Sequence, residues 1–311
     1  MPASDVAPVS TVVRNAASQK ASHLQYSRII ACTAEAVMKI VRCRQLKEED
    51  SMNQSERRRY LIERLLEEQK GYWKEDKTMQ IPAGKEEQKT LLRSLMNVRM
   101  PSAIDEEFLH IQDAYLQQVN AEKGIVTLSE MEELEPELYL YKGDITRLKV
   151  GAIVNAANSG MTGCYQPCHN CIDNCIHTYA GVQLRLACAK LMQRQGHEEP
   201  TGQAKLTSAY NLPCEYVIHT VGPIVSGRLT KKHEELLSSC YQSCLEAADE
   251  KNLESIAFCC ISTGVFMFPN ERAAEIAVET VKAYKKRTGS QIKVVFNVFK
   301  DYDEAFYRNL L

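Results

Sequence analysis

From Leu138 onward, short apolar segments alternate with longer amphipathic ones, and that alternation restricts the fold more than any other feature of the chain. Strands are predicted over residues 138–141, 152–155, 205–209, 216–220, 255–261 and 293–297, and helices over 172–194, 231–251, 270–287 and 301–310. The inner strand candidates, IAFCCIS and KVVFNVF, are apolar almost throughout. A strand with one wet face would alternate, so these two belong inside a sheet covered on both sides. The expectation is a layered α/β domain. No internal repeat is visible.

The preceding residues are of a different kind. Leu61, Ile62, Leu65 and Leu66 have helical spacing, with Ser55 as the expected cap and Gly71 as the stop. A second helix, over 85–98, presents Leu91, Leu92, Leu95 and Met96 on one side. A third follows Pro101-Ser102, with Ile104, Phe108, Ile111, Tyr115, Leu116 and Val119 in register and Gly124 at its end. These three helices carry no catalytic constellation, and their apolar faces need a surface, expected to be the domain that follows. The acidic run 130–137 reads as a link. Residues 1–50 are rich in Ser, Ala, Thr and Val and biased towards Lys and Arg; they read as a dispensable tail of low order, with a transit peptide as the alternative. Met52 offers a second translation start.

Composition narrows the function classes. A net charge of −2, with basic and acidic residues interspersed, gives no long-range pull on nucleic acid. No run of about 18 apolar residues offers a membrane span. The first thirty residues show no continuous apolar core of a secretory signal. Twelve cysteines in such a chain read as free or metal-bound thiols in a reducing compartment. The cytoplasm is the expected location, and an organelle reached through a cleaved leader is the alternative.

The chemistry concentrates in GDITRLKVGAIVNAANSGMTGCYQPCHNCIDNCIHTYAG, residues 143–181. A strand, a small-residue loop and a helix N-terminus form a phosphate cradle, because the first amides of a helix have no partners within it. A second such loop, STGVFMFP at 262–269, also leaves a strand and enters a helix. Neither loop holds Lys or Arg, so a diphosphate there would be bound by amides, hydroxyls and helix ends. Between Cys164 and His177 lie four cysteines and two histidines. Zinc accepts both donor types: three protein ligands leave an open, catalytic position, and four close the site. Cys164, His169 and Cys171 supply three, and Cys168 is the candidate to close it. Cys175 reads as a packing residue, His177 as a packing or supporting one, and His219 as structural.

Taken together, GDIT at 143–146, AIVNAAN at 152–158, VIHTVGP at 217–223 and STGVF at 262–266 resemble the macrodomain, an ADP-ribose-binding module. The inserted Gly163-Cys164, His169-x-Cys171 and Ile172-Asp-Asn174 segments resemble its zinc-containing subclass, the protein-ADP-ribose hydrolases. The resemblance implies a three-layer α/β/α sandwich with a mixed central sheet over 131–311, preceded by an α-helical extension over 51–130. It implies one Zn2+ on Cys164, His169 and Cys171, and catalytic roles for Asp173 and Asn158. It places Asp144, Ile145, Asn158, Ile172, Asp173, Asn174, Ser262, Thr263, Gly264, Val265 and Phe266 against ADP-ribose. The implied activity is zinc-dependent removal of mono-ADP-ribose from protein side chains, with a sirtuin-type ADP-ribosyltransferase acting in the opposite direction. A reader that binds ADP-ribose without cleaving it, and an O-acetyl-ADP-ribose deacetylase, are the rival readings.

Overall fold

In the computed structural model, residues 52–70 and 80–311 are described. The expected leader and the expected stop at Gly71 lie outside the described residues. The sheet is built from β1 (Glu132–Glu135), β2 (Leu138–Lys142), β3 (Ala152–Ala157), β4 (Ala204–Ser208), β5 (Tyr216–Val221), β6 (Ser255–Phe258) and β7 (Lys293–Val298). Their spatial order is β1-β2-β7-β6-β3-β5-β4. The two outermost pairings are antiparallel and the rest are parallel. The sheet is therefore mixed. Its inner strands are buried on both faces, which is why they read as unbroken apolar runs. Two further two-residue strands, Val126–Thr127 and Leu148–Lys149, pair with each other outside this sheet.

The helices are α1 (Gln54–Gln69), α2 (Lys85–Val98), α3 (Glu106–Glu122), α4 (Ile172–Ala180), α5 (Val182–Gln195), α6 (Lys231–Glu250), α7 (Asn270–Thr288) and α8 (Asp301–Leu310). Parallel strands require right-handed crossovers. The path from β3 towards β5 runs opposite to the paths from β5 to β6 and from β6 to β7. That puts α4 and α5 on one face and α6, α7 and α8 on the other. The contacts agree: α6 packs on α7 and α7 on α8, while α4 packs on α5. Helices α2 and α3 pack on α4, so the extension covers the α4 side of the domain.

Three expectations need correction. The single helix expected over 172–194 is two helices, because Gly181 (φ 98°, ψ 172°) takes a conformation open to glycine. Gln112 Oε1 accepts from the Val182 amide at 3.0 Å and so serves the new helix start. The acidic link contains β1, an exposed edge strand whose Glu132 and Glu135 pair with Arg308 and Lys282 at 2.7 Å each. A wet edge strand lacks the apolar alternation by which strands are recognised. Ser55 lies inside α1 instead of capping it, and its hydroxyl accepts from Arg58 at 3.1 Å.

Candidate functional site

All the parallel strands point the same way, so the loops leaving β2, β3, β5, β6 and β7 gather at one end of the sheet. The chain leaves β3 towards β5 but leaves β6 towards β7, and ligands of open α/β sheets lie at such a reversal. The ladder between β3 and β6 is short, with Ala152 opposite Ile256 and Ile153 opposite Ala257. By contrast, β3 stays paired with β5 as far as Ala157 and Val221. The reversal places a ligand crevice between the loops 158–171 and 259–269. From β2 to β3 is three strand spacings, about 14 Å, room for a nucleotide carrying a second sugar.

At the β3 end, Asp173 stands in the first turn of α4 and is 5% exposed. Asn155 Nδ2, from within β3, donates to its Oδ1 at 2.8 Å, and Asn158 Nδ2 lies 3.4 Å from its Oδ2. Burial lifts the Asp173 carboxyl from 3.8 to about 6, against the opposing pull of the Asn155 hydrogen bond and the Arg185 charge. Near neutral pH it can therefore hold or release a proton. His177 Nε2 is 3.5 Å from the same carboxylate. Burial, then the neighbouring His219 and Arg185, keep that imidazole neutral. His219, read as structural, is fully buried between Asn155 and Thr207.

Beside this carboxylate the donor atoms of Cys164, His169 and Cys171 lie within 4.8 Å of one another, with Cys164 Sγ 3.6 Å from His169 Nδ1. Two thiols and an imidazole are a donor set that suits zinc. The fit has an electrostatic side too. Burial first, and then the Cys164 and Asp173 charges, raise the Cys171 thiol against the Asn174 amide, so an adjacent cation favours its ionisation. Cys168 stands apart: its Sγ is 3.2 Å from Ser94 Oγ and 3.5 Å from the Thr90 carbonyl. Cys175 is half-buried near Arg93, 3.7 Å from its Nη2.

Across the crevice, Ser262 is buried and its Oγ has no partner. Gly222 faces it so closely that a Cβ there would sit 2.0 Å from that oxygen. The loop that follows β5 is tied to loop 259–269 where the Val225 amide donates to the Phe266 carbonyl at 2.9 Å. Met161, Cys168, Ser262 and Met267 all have φ between 53° and 65°, a left-handed region that side chains disfavour. Four of the seven non-glycine residues with positive φ among those described fall in loops 158–171 and 259–269, and backbone of this kind clusters at functional sites. Thr263 is half-buried, while Gly264 and Val265 are exposed at the rim.

A macro domain model matches residues 154–277. A "Protein-ADP-ribose hydrolase" of Treponema medium is 58% identical over 264 residues, covering 84% of this chain and 100% of that one. The chain belongs to the macrodomain family. A second protein of that name, from Staphylococcus aureus (strain MRSA252), is 46% identical over 252 residues, covering 79% of this chain and 93% of its own. Among solved structures, the Trypanosoma brucei macrodomain in complex with ADP-ribose superposes with a TM-score of 0.55 at 28% identity, covering 70% of this chain and 94% of that one.

In this macrodomain, Asp144 caps the short 3-10 turn Ile145–Arg147, accepting from the Thr146 amide at 2.9 Å and its hydroxyl at 2.6 Å. Lys123, from the end of the extension, reaches its other oxygen at 3.3 Å. Burial alone would raise this carboxyl, yet Thr146 and Lys123 together hold it below the usual range. Ile145 is buried in the core, and Ile172 packs against it. Asn174 is wholly buried, and its amide serves the loop carbonyls of Cys164 and Gln166 at 3.4 and 3.0 Å. Its side chain holds the loop and does not face the crevice. Sequence reasoning missed Asn155, Lys123 and Phe299. Phe299 directly follows β7, is 76% exposed, and adjoins the Asp144 turn because the Gly143 amide donates to the Val298 carbonyl. Its exposure and its place beside GDIT exist only in the fold, so the sequence carried no signal for it.

Proposed function

We propose that this macrodomain removes mono-ADP-ribose from modified protein side chains, with a zinc ion held by Cys164, His169 and Cys171. One observation carries the reading: a metal-suited donor trio and a buried Asp173 able to take up and release a proton near neutral pH stand at the β3 end of the crevice. Asp144 accepts the adenine amino group and Phe299 offers its exposed face to the ring. The diphosphate lies between the two loops against helix amides and the unpartnered Ser262 hydroxyl. The distal ribose then falls at Asn158 and Asp173.

The step is hydrolysis at C1″. The bond from C1″ to the target side chain breaks, a water oxygen takes its place, and the water's proton passes to Asp173 and then to the departing group. Asn155 and Asn158 fix the carboxylate for this. A zinc ion held by the trio would supply Lewis-acid attraction for a sugar or leaving-group oxygen. No nucleophilic side chain is required. The described cysteines are all free, which suits the cytoplasm. Among the described residues no helix is long and apolar enough to cross a membrane. The resemblance points to a sirtuin-type ADP-ribosyltransferase as the enzyme that installs the modification.

The test is release of ADP-ribose from a mono-ADP-ribosylated protein by wild type, Cys164→Ala and Asp173→Ala. Wild type is expected to release it, and Asp173→Ala to slow release about 10²–10⁴-fold while still binding free ADP-ribose. Tight binding without release by wild type would establish the reader instead. Cleavage confined to O-acetyl-ADP-ribose would establish the deacetylase.

A further inference from the structure

Helix α2 has two stripes. Leu92, Leu95 and Met96 are buried apolar residues. Thr90, Arg93, Ser94 and Asn97, spaced i, i+3, i+4 and i+7, lie along one line of the helix. A polar stripe is ordinarily a solvated face, but Asn97 is 1% exposed and Arg93 and Ser94 are half-buried. Arg93, Ser94 and Asn97 meet the loop that carries the metal donors through their side chains, and Thr90 through its main-chain carbonyl.

Arg93 Nη2 donates to the His169 carbonyl at 2.7 Å and to Asn174 Oδ1 at 3.0 Å. The Cys168 amide donates to Asn97 Oδ1 at 2.9 Å, and the Cys168 thiol meets Ser94 and the Thr90 carbonyl. Asn174 in turn donates to the Cys164 carbonyl, so one guanidinium reaches both ends of the loop. It acts directly at His169 and through Asn174 at Cys164. The residues between Cys164 and Cys171 form no helix or strand, so their shape is imposed from outside.

We infer that the polar stripe of α2 is a positioning device for the metal loop, with Arg93 as its principal residue. The inference rests on the zinc reading above. Three ligands on an irregular loop must be brought face to face before an ion can bind all of them. Ordering that loop has an entropic cost, and charge-assisted bonds from α2 offset it in advance. The helical extension is thereby part of the site, although it offers the ion no ligand. Removing residues that orient metal ligands costs about 10–100-fold in metal affinity.

The full chain, loaded with zinc, is tested as wild type, Arg93→Ala and Arg93→Lys. Zinc per chain is measured by elemental analysis, and zinc loss by transfer to a chromogenic chelator. Arg93→Ala is expected to transfer zinc at least about tenfold faster than wild type, with helical content unchanged. Arg93→Lys, which keeps the charge and can reach one carbonyl, is expected to fall between them; it also serves should Arg93→Ala not fold. Zinc-loaded variants that release at the wild-type rate overturn the inference alone. A wild-type chain that takes up no zinc overturns the metal reading, and the inference with it.

Discussion

Substituting His219 by Asn removes one buried titration. His219 lies on β5 with no exposed surface, its Nδ1 3.1 Å from Asn155 Nδ2 and its Nε2 2.9 Å from Thr207 Oγ1. Cys188 Sγ stands 3.7 Å from Nε2, and the His177 ring centroid is 6.1 Å away. Burial lowers its pKa from 6.5 to about 3. Between those values the unfolded chain binds a proton that the folded chain does not. Folding stability therefore falls as pH falls, by about 1.4 kcal/mol per pH unit. Over the roughly two units from pH 6.5 to pH 4.5 the loss is about 2.7 kcal/mol. His219→Asn leaves a cavity and a weakened Thr207 bond, both independent of pH, and removes this slope. Any acid sensitivity of the Cys164, His169 and Cys171 trio is common to both proteins and cancels. Urea unfolding of each at several pH values gives the comparison. Wild type is expected to be the more stable at neutral pH, and the gap to shrink by about 2–3 kcal/mol by pH 4.5. A gap that stays constant to within about 0.5 kcal/mol would refute the reasoning, since His219 would then titrate alike folded and unfolded.

Other consequences are as direct. Lys123→Met removes the cation that opposes burial at Asp144, so that carboxyl rises. ADP-ribose affinity, measured by calorimetry, is expected to drop further in the variant than in wild type as pH falls from 7 towards 5, with Asp173 titrating alike in both. Parallel pH profiles would contradict this. Met267→Gly relieves a left-handed conformation that costs about 1–2 kcal/mol and incurs about 0.5–1 kcal/mol of backbone entropy. The melting temperature should hold or rise slightly, and a fall of several degrees would count against strain at that residue.

Much of the architecture was legible because burial leaves a period in the residues it selects. The helices of the extension announce themselves through Leu61, Ile62, Leu65 and their counterparts, and the inner strands through runs such as KVVFNVF. Where burial is absent or polar, that signal disappears. Edge strand β1 is mostly Glu, and nothing in its pattern distinguishes it from a linker. The break at Gly181 was hidden because helical spacing continues on both sides of it. The trio and Asp173 were named from the macrodomain resemblance, and the structure brings the trio's three donor atoms together. Asn155 was missed because it sits inside an apolar strand, and its bond to Asp173 exists only once α4 has docked. The stripe from Thr90 to Asn97 was missed for the opposite reason: polar residues at helical spacing describe a wet surface equally well.

The most direct measurement is a zinc titration of the stripped chain against a mono-ADP-ribosylated protein. The account predicts negligible release from verified metal-free protein, then recovery in proportion to bound zinc, complete at one ion per chain. Full-rate release by metal-free protein would contradict it.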